Sequence, residues 1–316
     1  MKIYIGIDIG GTNINIGMVS EEQKIMAETI IKTEPEKGPE NAIEQITLAL
    51  RQMLSASRQN APCEGIGVGM PGLLDIENGY ILEASNLPGW QHYPIVKELN
   101  QRLHVPVFME NDANLAAMGE HWLGAGRDAK DLFMITLGSG IGGALLADGK
   151  IFRLHPSAGE FGHMIIERSG AACTCGRKGC LETYVSKHGF QRLAGKMIPE
   201  YPSSALRNIE INSITPQVLA MIAGKGDLLA IHIFREAGEA LGVAISNVIN
   251  LTGVTCIIVG GGIANAWDLL RDSVMLTMKK NTFQSILSGV TVSRAILGEK
   301  AGFVGAARLV FTSLRV

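Results

Sequence analysis

The sequence has no apolar run long enough to span a membrane. It also has no low-complexity segment and no block of like charge. Only 18% of its residues are charged, and 28 Lys and Arg nearly cancel 30 Asp and Glu. A chain this balanced carries no electrostatic footprint for nucleic acid or for a membrane surface. No secretory leader is expected, since Met1-Lys2 runs straight into a strand-like stretch. Cysteine is scarce and odd in number: there are five, three of them within positions 173–180. That fits a reducing compartment, the cytoplasm, with a metal site better than a disulfide framework. Cys63 and Cys256 stand in apolar surroundings and read as packing residues.

What is present describes a globular chain with a sizeable core. The length of 316 residues favours two domains, and 47% of residues are apolar. The 38 glycines include tight runs at Gly10-Gly11, Gly138 to Gly143 and Gly260 to Gly262. Backbone that handles phosphate needs such runs. Residues 2–9 read as a buried strand, Gly10-Gly11-Thr12 as a turn and 13–20 as a second strand. No helical periodicity follows the glycines, so this is a hairpin. The same pattern of strand, glycine turn and strand returns at 132–147, an internal repeat of topology. Between and after the hairpins, strands are expected at 25–32, 65–70, 105–109, 255–259 and 290–295. Helices are expected at 40–57, 94–103, 113–123, 232–251, 267–280 and 302–313. This alternation predicts a two-domain α/β architecture.

Five stretches carry candidate chemistry, and four of them also have a plainer reading. Asp8 ends the first strand beside Gly10, Gly11 and Thr12. It is either a water-mediated Mg²⁺ holder next to a phosphate turn or a capping residue in an ordinary hairpin. Thr136-Leu137-Gly138-Ser139-Gly140 opens a second candidate phosphate loop. Its G-x-G-x-x-G string joins two strands and opens no helix, which disfavours a dinucleotide fold. Gly260-Gly261-Gly262 is a tight strand-to-helix turn or a seat for a base or ribose. Asp112, in Glu110-Asn111-Asp112, is an N-cap or a general base taking a hydroxyl proton. Asn86, beside Trp90, suits a polyhydroxylated ligand or an Asx turn.

The stretch from Glu160 to Glu182 is more specific. His163, Cys173, Cys175 and Cys180 form a complete four-coordinate set for zinc. With all four positions filled by protein no water has a place, so such a site is structural. It would brace Glu160 and Glu182, which bracket it.

Taken together, these residues resemble the kinase branch of the ROK family (repressors, open reading frames and kinases). The likeness rests on Asp8-x-Gly10-Gly11-Thr12, Gly67-x-Gly69-x-Pro71-Gly72, Glu110-Asn111-Asp112, the loop from Gly138 to Gly143, Glu160-x-Gly162-His163, the cysteine motif through Glu182, and Gly260 to Gly262. It implies an actin-like ATPase (ribonuclease H-like) fold, two α/β domains around a cleft. It further implies a small domain at 1–112 plus about 297–316, and a larger one at 113–296 with the zinc loop. The implied activity is ATP-dependent phosphorylation of a hexose by a homodimer, with Mg²⁺ and structural Zn²⁺. The resemblance makes Asp112 the catalytic base. It makes Asn86, Asn111, Asp112, Glu160, His163 and Glu182 sugar contacts. Asp8, Gly10, Gly11, Thr12, Thr136, Gly138, Ser139 and Gly140 become phosphate and Mg²⁺ elements, and Gly261 and Gly262 adenosine contacts. His163, Cys173, Cys175 and Cys180 become the zinc ligands, so His163 serves metal and sugar through different ring nitrogens. One departure is Asn13, where many relatives carry Lys. The string Ser85-Asn86-Leu87-Pro88-Gly89-Trp90 looks like glucokinases more than fructokinases or N-acetylmannosamine kinases. Kinases for other hexoses, and a non-catalytic sugar-sensing regulator on the same fold, are the alternatives. The repressor branch carries an N-terminal helix-turn-helix domain, and none is read here before the first strand, so no DNA binding is expected.

Overall fold

Ile3, Ile5, Ile7 and Ile9 alternate with Tyr4, Gly6 and Asp8, and this period of two makes strand β1 (Ile3–Ile9) two-faced. The computed structural model describes residues 1–56, 62–84, 87–153, 155 and 159–315. The chain divides into two compact units. The first comprises Met1–Lys130, Ala144–Ala158 and Ile296–Val316, the second Asp131–Gly143 and Gly159–Ala295.

In the first unit β1 pairs antiparallel with β2 (Asn13–Ser20), which pairs with β3 (Ile25–Lys32). On its other side β1 pairs parallel with β4 (Cys63–Met70), and β4 with a later parallel strand at Val107–Asn111. A small hairpin of β5 (Leu73–Asp75) and β6 (Tyr80–Glu83) separates these two; neither strand was expected. The later strand is therefore β7, and the sheet order is β3-β2-β1-β4-β7. One face of the sheet buries the isoleucine row with Ile43, Ile46 and Leu50 of α1 (Gly38–Ala56), and with Ile95 and Leu99 of α2 (Ile95–Leu103).

The other face is built differently. Tyr4 and Val19 pack with Trp122 of α3 (Asp112–Leu123) and with Phe303, Val304, Ala307 and Val310 of the C-terminal helix Ala301–Ser313. Gly6 and Gly67 are paired neighbours in the sheet. A Cβ on Gly6 would lie 1.7 Å from the carbonyl oxygen of Phe303, and one on Gly67 would lie 1.9 Å from that of Ala306. The helix therefore rests on the sheet backbone to backbone. Gly119 and Gly305 allow the same approach between the helix and α3. Contacts group α3 with the first unit, where these small residues seat it on the C-terminal helix.

The second unit holds β8 (Leu132–Leu137) and the first residues of β9 (Ile141–Ala147), which leads to β10 (Lys150–Ile151). After the metal-type loop come α4 (Glu182–Val185), α5 (Lys187–Met197), α6 (Pro216–Ala223) and the 25-residue α7 (Leu228–Thr252). Then follow β11 (Cys256–Gly260), α8 (Trp267–Asn281), α9 (Gln284–Leu287) and β12 (Thr291–Arg294), and the C-terminal helix is α10. The second sheet runs β10-β9-β8-β11-β12, with β8, β11 and β12 parallel. Gly238 and Gly242 let α8 approach α7 closely, and Phe190 meets Phe234 edge-on at 5.2 Å. Among the described residues no helix is long and apolar enough to cross a membrane.

Candidate functional site

Parallel strands leave their carboxyl ends at one edge, where open α/β sheets bind ligands. In the first unit the register pairs Asp8 with Gly69, Gly69 with Glu110, and Met70 with Asn111. That edge therefore gathers Asp8, Glu110, Asn111 and Asp112. Between an N-cap and a base for Asp112, the structure gives the cap to its neighbour. The Asn111 side chain accepts from the backbone N–H groups of Ala113 at 3.0 Å and Asn114 at 3.4 Å. Asp112 is the first helical residue, and its carboxylate accepts from the Ala113 N–H at 2.9 Å.

Asp8 lies close enough to feel that carboxylate. Burial, then the charge of Asp112, push the Asp8 carboxyl up to about 7, against a hydrogen bond from Asn15 that lowers it. A Cβ on Gly302 of α10 would fall 2.3 Å from Asp8 Oδ2, so only glycine leaves the carboxylate its place. The first glycine turn is closed by Gly10 N–H donating to Asn13 O at 3.0 Å, and is held by Thr33 Oγ1 donating to Gly10 O at 2.7 Å. Gly11 and Thr12 at its tip are exposed. Asn13 accepts from Lys32 Nζ at 2.9 Å, so a cation stands beside the turn although position 13 carries none.

Sequence reading missed the support beneath Asn111. Glu110 is buried and accepts from the Asn111 N–H at 2.8 Å, from Asn114 Nδ2 at 3.0 Å and from the Arg153 guanidinium. Only the i, i+4 spacing of Glu110 and Asn114 was visible as a signal; Arg153 lies 43 positions away.

In the second unit Thr136 pairs with Gly260. The second glycine turn and the Gly260–Gly262 turn thus share one sheet edge. Gly138 N–H donates to Gly140 O at 2.9 Å, and Ser139 at the tip is exposed. Gly261 has φ 84°, and a Cβ there would lie 2.3 Å from Leu137 O, so both conformation and space require glycine. Gly261 and Gly262 are exposed.

Nearby in sequence, the ligand atoms of His163, Cys173, Cys175 and Cys180 all lie within 4.8 Å of one another. His163 Nδ1 is 3.6 Å from Cys173 Sγ, and Cys175 Sγ is 3.6 Å from Cys180 Sγ. Tetrahedral zinc with its usual bond lengths separates sulfur pairs by about 3.8 Å and nitrogen–sulfur pairs by about 3.5 Å. The donor set and spacing fit that ion. The backbone N–H of Arg177 foremost draws the Cys175 thiol down to about 6, while burial pushes Cys180 up to about 12. Gly176 and Gly179, at φ 85° and 75°, turn the chain between these ligands.

His163 aims its other nitrogen, Nε2, toward Glu160 Oε2 at 4.0 Å; Glu160 is exposed. Glu182 begins α4, and its Oε2 accepts from the Ile141 N–H at 3.0 Å, at the foot of the second glycine turn. The structure thus brings together Asp8, the first turn, Asn111 and Asp112 in one unit. In the other it assembles two groups, the turns of Thr136–Gly140 and Gly261–Gly262, and the cluster of Glu160, His163 and the three cysteines, with Glu182 reaching the first of them. Asn86 lies outside the described residues.

The chain matches the ROK family over residues 4–313. It is 34% identical to a glucokinase of Halalkalibacterium halodurans, over 97% of this chain and 94% of that one. A ROK family glucokinase from Streptomyces griseus, solved with glucose and AMPPNP, is 32% identical, with TM-score 0.76 over 98% of this chain and 99% of that one. A ROK hexokinase from Thermus thermophilus is 28% identical, with TM-score 0.83 over 99% of both chains.

Proposed function

The chain belongs to the ROK family, and from that premise we propose that it is an ATP-dependent hexose kinase that converts D-glucose and ATP to glucose 6-phosphate and ADP. The observation that carries this reading is the carboxylate pair, Asp8 and Asp112, at the carboxyl edge of the first parallel sheet beside an exposed glycine turn. Its glucokinase relatives supply the substrate class.

Phosphoryl transfer asks a protein mainly for positioning and electrostatics. In this reading Asp112 accepts the proton of the sugar 6-hydroxyl as that oxygen bonds the γ-phosphorus and the bond to the β-phosphate oxygen breaks, releasing ADP. Asn111, fixed as the helix cap, holds the acceptor end next to it. Glu160, His163 and Glu182 take the ring hydroxyls. Backbone N–H groups of the exposed Gly11, Thr12 and Ser139, with half-buried Gly140, cradle the phosphates. Gly261 and Gly262 give adenosine a side-chain-free surface. A Mg²⁺ held by Asp8 through water would neutralise charge on the transferring phosphates. A zinc ion on His163, Cys173, Cys175 and Cys180 would brace the loop, and its closed ligand set leaves it no catalytic position. The reading extends to a cytoplasmic homodimer, which sedimentation and cell fractionation test.

A coupled ADP-release assay over glucose, mannose, allose, fructose, N-acetylglucosamine and N-acetylmannosamine tests the proposal. Glucose should give the highest kcat/KM, and Asp112→Asn should lower kcat at least 1,000-fold, the upper range for a positioned base, with glucose still bound. Absence of ADP release with every sugar in the panel would leave the non-catalytic regulator standing.

A further inference from the structure

The segment that follows the cysteine cluster grips the second glycine turn from both sides. Glu182 Oε2 accepts from the N–H of Ile141, the residue just after the turn, at 3.0 Å. Five residues on, the N–H of Lys187 donates to the carbonyl of Gly138, the residue that opens the turn, at 3.1 Å. The grip is rooted in the cluster itself. Cys180 is fully buried, its carbonyl accepts from the Thr183 N–H, and the Leu181 N–H donates to Met164 O at 3.0 Å. Glu182 therefore has little freedom to serve a sugar without the turn registering it.

We infer that Glu182 is a positioning residue shared by two subsites. One carboxylate oxygen anchors the phosphate turn, and the carboxylate as a whole is presented to the sugar, so that the position of the turn sets sugar affinity even with no nucleotide bound. This rests on the kinase reading above and deepens it. A carboxylate that accepts a backbone N–H is held by a charge-assisted bond. Displacing it from either end costs the partner at the other end. Because binding free energies are reciprocal, sugar bound at Glu182 orders the turn that receives the phosphates.

Gly140 gives the idea its test. A Cβ on Gly140 would lie 2.8 Å from Glu182 Oε2 and touch no other side chain within 3.5 Å. Gly140 has no positive φ, so alanine is conformationally acceptable there. Gly140→Ala pushes on the carboxylate. The control is Gly289→Ala, in the exposed loop after α9, where a Cβ would meet only Ile286 O at 3.7 Å and the Thr255 methyl at 3.9 Å and φ is not positive.

Glucose binding is measured by calorimetry with no nucleotide present, on wild type, Gly140→Ala and Gly289→Ala. The expected result is about tenfold or greater weakening in Gly140→Ala, the loss of one charged hydrogen bond, and less than twofold change in Gly289→Ala. Should Gly140→Ala not fold, hydrogen exchange on the wild type decides the matter. Glucose alone should slow exchange of the Ile141 amide. Equal affinities in the two variants, or an Ile141 amide indifferent to glucose, overturn the shared role. A wild type that binds no hexose at all refutes the kinase reading instead, and the inference falls with it.

Discussion

Arg153→Met tests how the Asn111–Asp112 corner is held. The Glu110 side chain is only 4% exposed, and Arg153, 23% exposed, is its cationic partner. Removing one member of a buried pair leaves the other charge uncompensated, at about 3–5 kcal/mol. Glu110 keeps two hydrogen bonds, from the Asn111 N–H and Asn114 Nδ2, and Arg153 is partly hydrated. Both facts favour the lower end, about 3 kcal/mol. For a unit of this size that corresponds to a fall in Tm of about 6–12 °C. Because Glu110 also accepts from the N–H of the capping residue, kcat should fall while KM for ATP holds. The double variant Glu110→Gln, Arg153→Met removes the stranded charge and should recover about 2 kcal/mol. Thermal and urea denaturation, read beside steady-state kinetics, measure all of this. A loss below about 1 kcal/mol, the value of an exposed pair, or a double variant no better than the single one, would refute the idea that Glu110 is buried as a charge.

Three further outcomes are expected. Gly302→Ala places a Cβ 2.3 Å from Asp8 Oδ2; displacement of that carboxylate should lower kcat/KM at least tenfold with Mg-ATP, and a variant with wild-type kinetics would show that Asp8 is not needed where it stands. With its carboxyl raised from 3.8 to about 7, Asp8 keeps a proton that the unfolded chain has shed between those values, so its contribution to the stability of the ligand-free protein is present at pH 4 and is lost as pH rises through about 7. Wild type minus Asp8→Asn in denaturant midpoint should fall across that window; a flat difference contradicts the shift. Cys175→Ser should reduce zinc content by metal analysis and raise KM for glucose far more than it lowers kcat, whereas wild-type protein without zinc would end the structural-metal reading.

The two hairpins, the cysteine cluster and the Asn111–Asp112 corner were legible because each is written in adjacent residues. Turn glycines, ligand spacing and strand alternation all act within one short stretch of chain. The supports were not legible. Arg153 reaches Glu110, and Gly302 makes room for Asp8, across separations that no local period encodes. The packing glycines were not legible either. Gly6, Gly67, Gly119 and Gly305 serve helix packing, and a phosphate-binding glycine looks the same in sequence as one that admits a carbonyl. Asp112 as cap or base was undecidable from the string alone, since Asn111 is as good a cap and only the backbone shows where the helix begins.

The seat of α10 on bare backbone has a consequence for synthesis. The first sheet is complete in its strands by Asn111, but the helix that covers Gly6, Gly67 and Tyr4 begins at Ala301. A nascent chain must therefore carry that face with only α3 against it while the whole second unit is made, and the second unit, whose own segments end at Ala295, can finish first. The lid of the first domain begun is made only after the second.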